Sequence, residues 1–400
     1  MKKKIIISIS LIVVFSLFFV MFSLQTGEKK VFSANSFSVE EDLKNETQNQ
    51  LNFFDFSDLD DVISKLENSD TFGSSTFLEK VKELINGEYS TDFWGILKIV
   101  LNALLVDFKK LIPILATIFS LAILSNLVGN FKSKSDKNVG QIVHFVCYCS
   151  VIILVCSSIT TLINITTTTI NSMKGQMEVI FPIVLTLMAS VGNTVSVGIY
   201  QPTVAMLSGL VINVFSYIIL PIFLISFVLG VVGNLSNNVK LSKLSSFLND
   251  VFKWVIGFVF TIFTGLMMVK GISAGSFDSV SIRTTKFALK TYVPLVGGYL
   301  SDGFNLIMAS SVLIKNAVGT AGLLLIFVSI ISPVVTILVF KWCLHLVSAF
   351  IEPLLDDKIS NFLFSVSKSL NMLIASILCV ALMYLISVGL LMTTGNVYWG

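Results

Sequence analysis

Long apolar runs, each close to the length of a membrane-crossing helix, leave this chain few ways to fold. They centre on Leu111–Val128, Gln141–Ile163, Val179–Val197, Val204–Val232, Trp254–Lys270, Gly319–Phe340 and Asn371–Met392. A hydrocarbon core is about 30 Å thick, so a helix needs roughly 20 apolar residues to cross it. In lipid each backbone N–H and C=O must find a partner within the protein, which leaves helices or a closed barrel. The runs are continuous instead of alternating apolar with polar, and that excludes the barrel. With 54% hydrophobic and 13% charged residues and a mean hydropathy of +0.88, a soluble domain is also excluded. The expected class is all-α, a polytopic helical membrane protein.

Charge divides the chain in three. Lys2, Lys3 and Lys4 precede the apolar run Ile5–Leu24, so residues 1–24 read as a signal peptide or a signal anchor. Residues 25–92 form an acidic segment with 15 acidic residues against 6 lysines and no cysteine. Its early half, through Glu40-Glu41-Asp42 and Asn45–Gln50, reads as a solvated tether. Its later half carries apolar residues at helical spacing, Phe56, Leu59, Val62, Ile63 and Leu66, then Phe77, Val81, Leu84 and Ile85, with Asp55, Ser57, Asp58 and Ser90 as caps. This segment is either a small acidic face held away from anionic headgroups or a docking surface.

Residues 93–400 form the multi-span domain, with about seven spans by run length and 18 basic against 9 acidic residues. Residues 93–110 mix Trp94, Leu97, Leu101, Leu104 and Leu105 with Lys98, Asp107, Lys109 and Lys110, the pattern of an interfacial helix. Residues 293–315 read as flat, re-entrant or split. A cytoplasmic N-terminus puts residues 25–92 outside, and an even count of later spans puts both Lys132-Ser133-Lys134 and the Lys270–Lys290 stretch inside. The lysines at 240, 243 and 253 then fall outside, against the rule.

Functional expectation concentrates on residues 281–322. Arg283 is the only arginine among 27 basic residues. Its planar fork makes paired bonds to a phosphate or carboxylate that an ammonium cannot match. Lys286 lies one turn on, and Asp302, Lys315 and Asn316 interrupt apolar sequence where lipid exposure is costly. Lys315 either snorkels to an interface or lines a wet subunit boundary or pore. Gly319 and Gly322, with Ala309, Ser310, Ala317, Thr320 and Ala321, make a small-residue face suited to a neighbouring helix or a second copy of the chain. Gly192 and Asn193, with Pro202 beyond them, mark a helix break.

Other chemistry finds little support. No G-x-x-x-x-G-K-[ST] phosphate loop and no H-E-x-x-H motif occurs, and the histidines are His144 and His345 alone. Cys147 and Cys149 beside His144 point to different faces of a helix and read as buried thiols. No catalytic residue, metal, cofactor or nucleic-acid role is assigned.

The order of these features resembles the stage III sporulation protein AE family of endospore-forming bacteria. The matching stretches are Leu187–Gly192, Pro202 after an aromatic residue, Ser281-Ile282-Arg283-Thr284 with Lys286-Phe287, Pro294–Gly297, Asp302, Ala309–Gly322 and Thr394–Val397. The resemblance implies the membrane core of a secretion-like channel complex, with companions that include a secretion-type ATPase and ring-forming proteins. It also implies a place in the mother-cell membrane around the forespore, partnership with the forespore's stage II sporulation protein Q, and a part in late forespore development. A self-sufficient secondary transporter, built on Lys315 and Asp302 facing one cavity, is the alternative.

Overall fold

The computed structural model describes residues 37–64, 76–87, 93–130, 137–235, 241–292, 297–354 and 357–394. The signal or anchor run, Ser90 and Pro294 lie outside the described residues. Two compact units are distinguishable, Met1–Lys44 and Asn45–Gly400. Described residues 37–44 of the first belong to helix α1 (Phe37–Leu51). Every other described helix lies in the second unit.

The described residues are helical throughout their regular structure. After α1 come α2 (Ser57–Ser64), α3 (Phe77–Asn86), α4 (Phe93–Asn130), α5 (Lys137–Ser190), α6 (Thr194–Val214), α7 (Leu220–Leu235), α8 (Ser242–Tyr292), α9 (Gly297–Ile351) and α10 (Asp357–Thr393). A π turn, Phe215–Ile219, joins α6 to α7 just before Pro221, whose missing N–H breaks the regular ladder there. Five segments are long and apolar enough to cross a membrane: Phe145–Ser190, Thr194–Gly233, Lys243–Gly271, Ser301–Ile351 and Lys358–Thr393. The chain is an all-α polytopic membrane protein, as its apolar runs predict.

Helix α9 is the axis of the bundle. Around Ala317–Ile331 nearly every side chain is buried, and a helix apolar on all sides belongs inside. Helix α10 runs antiparallel to it. Ser348 and Ser360 exchange hydroxyl-to-carbonyl bonds of 2.9 and 3.0 Å at one end, Lys341 Nζ donates to Asn371 Oδ1 at 2.6 Å, and Gly319 abuts Met392 near the other end. In lipid the gain is close packing and interhelical bonding, since transfer out of water is already complete.

The remaining helices alternate in direction. Tyr148 on α5 donates to the Val231 carbonyl on α7 at 3.2 Å and packs its ring on Phe362. These groups, with the 348/360 link, define one end of the bundle. Gly192, the α6 N-terminus, Ile282 on α8 and Met308 on α9 meet at the other end.

This alternation corrects the expected orientation of Arg283. The runs 141–163 and 179–197 read as two spans, yet the first and most of the second lie on α5, a continuous helix of 54 residues about 80 Å long. The polar stretch between them continues the helix because its other face, Ile170, Met173 and Met177, is buried, and Thr166 and Thr169 hydroxyls bond the carbonyls one turn back at 2.8 and 2.7 Å. Only α5, α6–α7 and α8 then separate Asn130 from Arg283, so these residues lie at opposite ends. The helix ends that carry Lys137 and Lys243 share the Tyr148 end.

Three further expectations change. The acidic tether is helical from Phe37 to Leu51. Thr47 and Leu51 are buried one turn apart, and Gln50 is bracketed by Glu46 at 3.0 Å and by two α9 serines. The stretch 93–110 is continuous with the following apolar run in α4, and Thr336 on α9 donates to Asp107 Oδ2 at 2.6 Å. Residues 297–315 are the regular opening turns of α9.

The described helices of the later acidic half, Ser57–Ser64 and Phe77–Asn86, fold as their spacing predicts, while Leu66 lies outside the described residues. Leu59, Ile63, Phe77 and Val81 are buried, and the Phe56 and Phe77 rings lie 5.4 Å apart. Thr76 and Glu79 form a reciprocal capping box on α3, and Gly87 closes it at φ 70°, where only glycine is unstrained. Asp55 accepts the Ser57 N–H at 2.9 Å, and that bond holds its carboxyl below the ordinary value. A depressed carboxyl favours the fold above the ordinary range, and this contribution fades as the pH falls through the folded value.

Candidate functional site

Helix α10 ends at Thr393, and a helix end leaves its last carbonyls without partners. The Thr394 N–H and hydroxyl both bond the Leu390 carbonyl, at 2.9 and 2.7 Å, which turns the Thr394 carbonyl toward α9. There the ammonium of Lys315, fully buried, donates to it at 2.8 Å. A cation at a helix C-terminus also meets the negative end of the helix dipole. Two more helices close on this point. Tyr200 on α6 lies 3.3 Å from the Thr394 hydroxyl, and Gly271 on α8 leaves room for the Tyr200 hydroxyl, which a Cβ there would approach to 2.6 Å.

Lys315→Met therefore removes the donor and strands a buried carbonyl, while Lys315→Gln keeps a donor without the charge. We expect Met to lower stability in detergent by about 1–3 kcal/mol, less the desolvation regained, and Gln to lose less. Thermal unfolding of the purified full chain decides it. A Met variant at least as stable as the parent would refute the capping role.

A second cap lies on the turn after α5. Gly192 adopts φ 91°, left-handed backbone that suits glycine, and a Cβ there would press Ile282 at 3.3 Å. The turn delivers α6 with its first N–H groups pointing at α8. Asp278, 1% exposed, accepts from Val195 N at 3.0 Å and Ser196 N at 3.1 Å with its two carboxylate oxygens. A carboxylate at a helix N-terminus takes orphan donors and meets the positive end of the dipole. Asp278 is not among the residues that the sequence singles out as a site. The available signal was an acidic residue alone among Gly275, Ser276 and Phe277.

The expected site residues divide into two sets. Lys315, Gly319 and Gly322 are enclosed, and a Cβ at Gly319 would overlap Met392 Cγ and Sδ while one at Gly322 would meet Ile180 at 2.8 Å. Asn316 is half-buried, its Oδ1 enclosed with no hydrogen-bond partner among the described residues. Arg283 and Asp302 are exposed, so Lys315 and Asp302 do not face one cavity. The Lys286 side chain lies outside the described residues. Gly192 and buried Asn193 form the helix break, and Pro202 sits exposed inside α6. One turn before Lys315, Ser310 and Ser311 are buried under Gln50, whose amide donates to the Ser310 hydroxyl and accepts from Ser311, both at 2.9 Å. The α9 small-residue face thus receives α5, α10 and the C-terminal turn of α1.

Among the described residues no cluster of three or more His, Cys, Asp or Glu side chains could hold a metal ion. Cys147 and Cys343 are buried, Cys149, Cys156 and Cys379 half-buried, all as free thiols.

Comparison with known proteins locates this architecture. The family model described as stage III sporulation protein AE matches residues 75–395. Over 322 residues the chain is 28% identical to the Stage III sporulation protein AE of Bacillus subtilis (strain 168), covering 78% of this chain and 79% of that one. No solved structure matches.

Proposed function

Because this chain belongs to the stage III sporulation protein AE family, we propose that it is the multi-span membrane core of a secretion-like channel complex linking mother cell and forespore. At the coarser level it is a multi-pass membrane protein of sporulation. The observation that carries the finer reading is the reach of the family match, residues 75–395, which takes in every helix from α3 to α10. Lacking a phosphate-binding loop of the G-x-x-x-x-G-K-[ST] kind, the chain draws on a companion ATPase for energy. Ring-forming companions and the forespore's stage II sporulation protein Q complete the assembly.

In this reading the Tyr148 end is cytoplasmic and the end carrying α1–α3, Arg283 and Thr394 faces the space between the two membranes. Its support is the gathering of Lys137, Lys243 and Lys358 at helix ends on the Tyr148 side, since lysines favour the cytoplasmic face. Arg283 is then an exposed, bidentate anion site on the outer side, open to a partner carboxylate or a lipid phosphate.

The function is tested by tagging the full chain in sporulating cells and recovering it under mild detergent. Co-recovery of the ATPase and ring-forming companions is expected, together with loss of late forespore gene expression when the gene is deleted. Normal spores from the deletion strain would sink the reading. The orientation is tested in sealed cells with an impermeant thiol reagent and a chain lacking its five native cysteines. Asn52→Cys and Thr284→Cys should label and Ser246→Cys should not; the reverse pattern inverts the assignment.

A further inference from the structure

Helix α5 shows its surroundings a face unlike that of α6–α7 and α8. From Ile153 to its end at Ser190, none of its later side chains is an exposed large hydrophobic one. The exposed positions instead include Thr160, Asn164, Thr168, Asn171, Glu178 and Thr186, spaced by whole helical turns along one side. The neighbours at the same depth are ordinary lipid-facing surfaces. Helices α6–α7 expose Met206, Tyr217 and Ile225, and α8 exposes Trp254 at 78%, Phe258 and Val269.

The polar stripe is not a segment that has left the membrane. Gln176, on the opposite side of α5, donates to Ser329 at 2.8 Å in the most apolar stretch of the central helix. Helix α8 gives the same depth from outside. Its apolar band lies between exposed Lys253 and Lys270, and Ile256 and Val259 share an apolar cavity with Val211 and Phe215 of the helix antiparallel to α5. Half-way down the stripe, Lys174 and Glu178 form an ion pair at 3.4 Å with side chains 36% and 56% exposed. Some hydroxyls are satisfied within the helix, Thr160 and Thr186 by carbonyls four residues back at 3.0 and 2.8 Å. Asn164 and Asn171 have no such partner among the described residues. Charged and amide groups held at this depth, facing outward, need water or polar protein beyond them.

We propose that the exposed face of α5, from Thr160 to Thr186, is one wall of an aqueous conduit through the membrane, completed by the same face of further copies of this chain. A second copy is the occupant that the chemistry fits. The stripe is neutral, its lysine and glutamate already paired, and its amides and hydroxyls each donate and accept, so the face is complementary to itself. A conduit walled by hydroxyls, amides and a balanced ion pair suits small hydrophilic solutes without strong preference for either sign of charge. This deepens the proposed channel role, and it can fail while the sporulation and co-recovery results stand.

The test uses the full chain in membranes, without its five native cysteines. Thr168→Cys and Asn171→Cys are treated with a charged, thiolate-specific methanethiosulfonate, beside Ile225→Cys and Phe258→Cys as lipid-facing controls. Thiolates form only where water reaches, so the two stripe positions should react at least about tenfold faster than the controls. Copper-phenanthroline oxidation should then link the stripe variants, and not the controls, into disulfide dimers. Thr160→Cys supplies an independent reading should either substitution lower the amount of protein in the membrane. Reaction no faster than the controls means a dry face and overturns the conduit. Fast reaction with no self-linked dimer means that a different chain closes the wall and overturns the role of the second copy.

Discussion

Gly319→Leu is expected to leave the chain in the membrane but to abolish recovery of the folded bundle. Gly319 lies on the α9–α10 seam, where even a Cβ would overlap Met392, itself 1% exposed. Alanine needs only a shift of that flexible side chain. Leucine forces the helices apart. Overpacking costs about 1–3 kcal/mol and sometimes more. The seam also brings Thr394 opposite Lys315, so separation strands a buried carbonyl for about 1–3 kcal/mol more. Together these approach the whole stability of an ordinary domain at its lower end, about 5 kcal/mol. The measure is monodisperse protein in mild detergent as a fraction of total membrane-inserted chain. Gly265→Leu, where a Cβ meets nothing within 4 Å, should recover like the parent. Equal recovery of Gly319→Leu and Gly265→Leu would show that the seam yields.

Asp278→Ala should have the second largest effect. The carboxylate, 1% exposed, takes two backbone donors of α6, and alanine leaves the Ser196 N–H buried and the Val195 N–H half-buried without that acceptor. Hydrogen bonds to a charged group are worth about 1.5–3 kcal/mol each, so a loss of about 3–5 kcal/mol is expected. Asp278→Asn keeps an acceptor oxygen and should lose less than half of that. Thermal unfolding of the three proteins in detergent ranks them. An alanine variant as stable as the asparagine one would mean that α6 holds its start without help from α8.

The class of this fold was legible because run length and continuity are local properties, and the helices Ser57–Ser64 and Phe77–Asn86 were legible for the same reason. The span count was not. Polarity in residues 164–178 reads along the chain as an interruption, although in space it is one side of α5, the other side being Ile170, Met173 and Met177. Asp278 escaped notice because its acceptor role depends on backbone donors 83 and 82 positions away. The importance of Lys315 could be read from its cost in lipid, but its partner could not. A main-chain carbonyl has no residue type to betray it, and this one is accessible only because a helix stops there. The small-residue face of α9 was legible in composition, while Gln50 as one of its contacts was hidden in a segment whose charge suggested solvent.

The cap on α10 also has a consequence for how the protein is made. Lys315 precedes its acceptor by 79 residues. At a synthesis rate of about 5–20 residues per second, it leaves the ribosome roughly 4–16 s before Thr394 does. Throughout that interval α9 must be accommodated by the insertion machinery with Lys315 in its apolar run and the Thr394 carbonyl not yet made. The central helix is thus among the later parts to reach its final environment, and closure of the bundle waits on the last turn of α10.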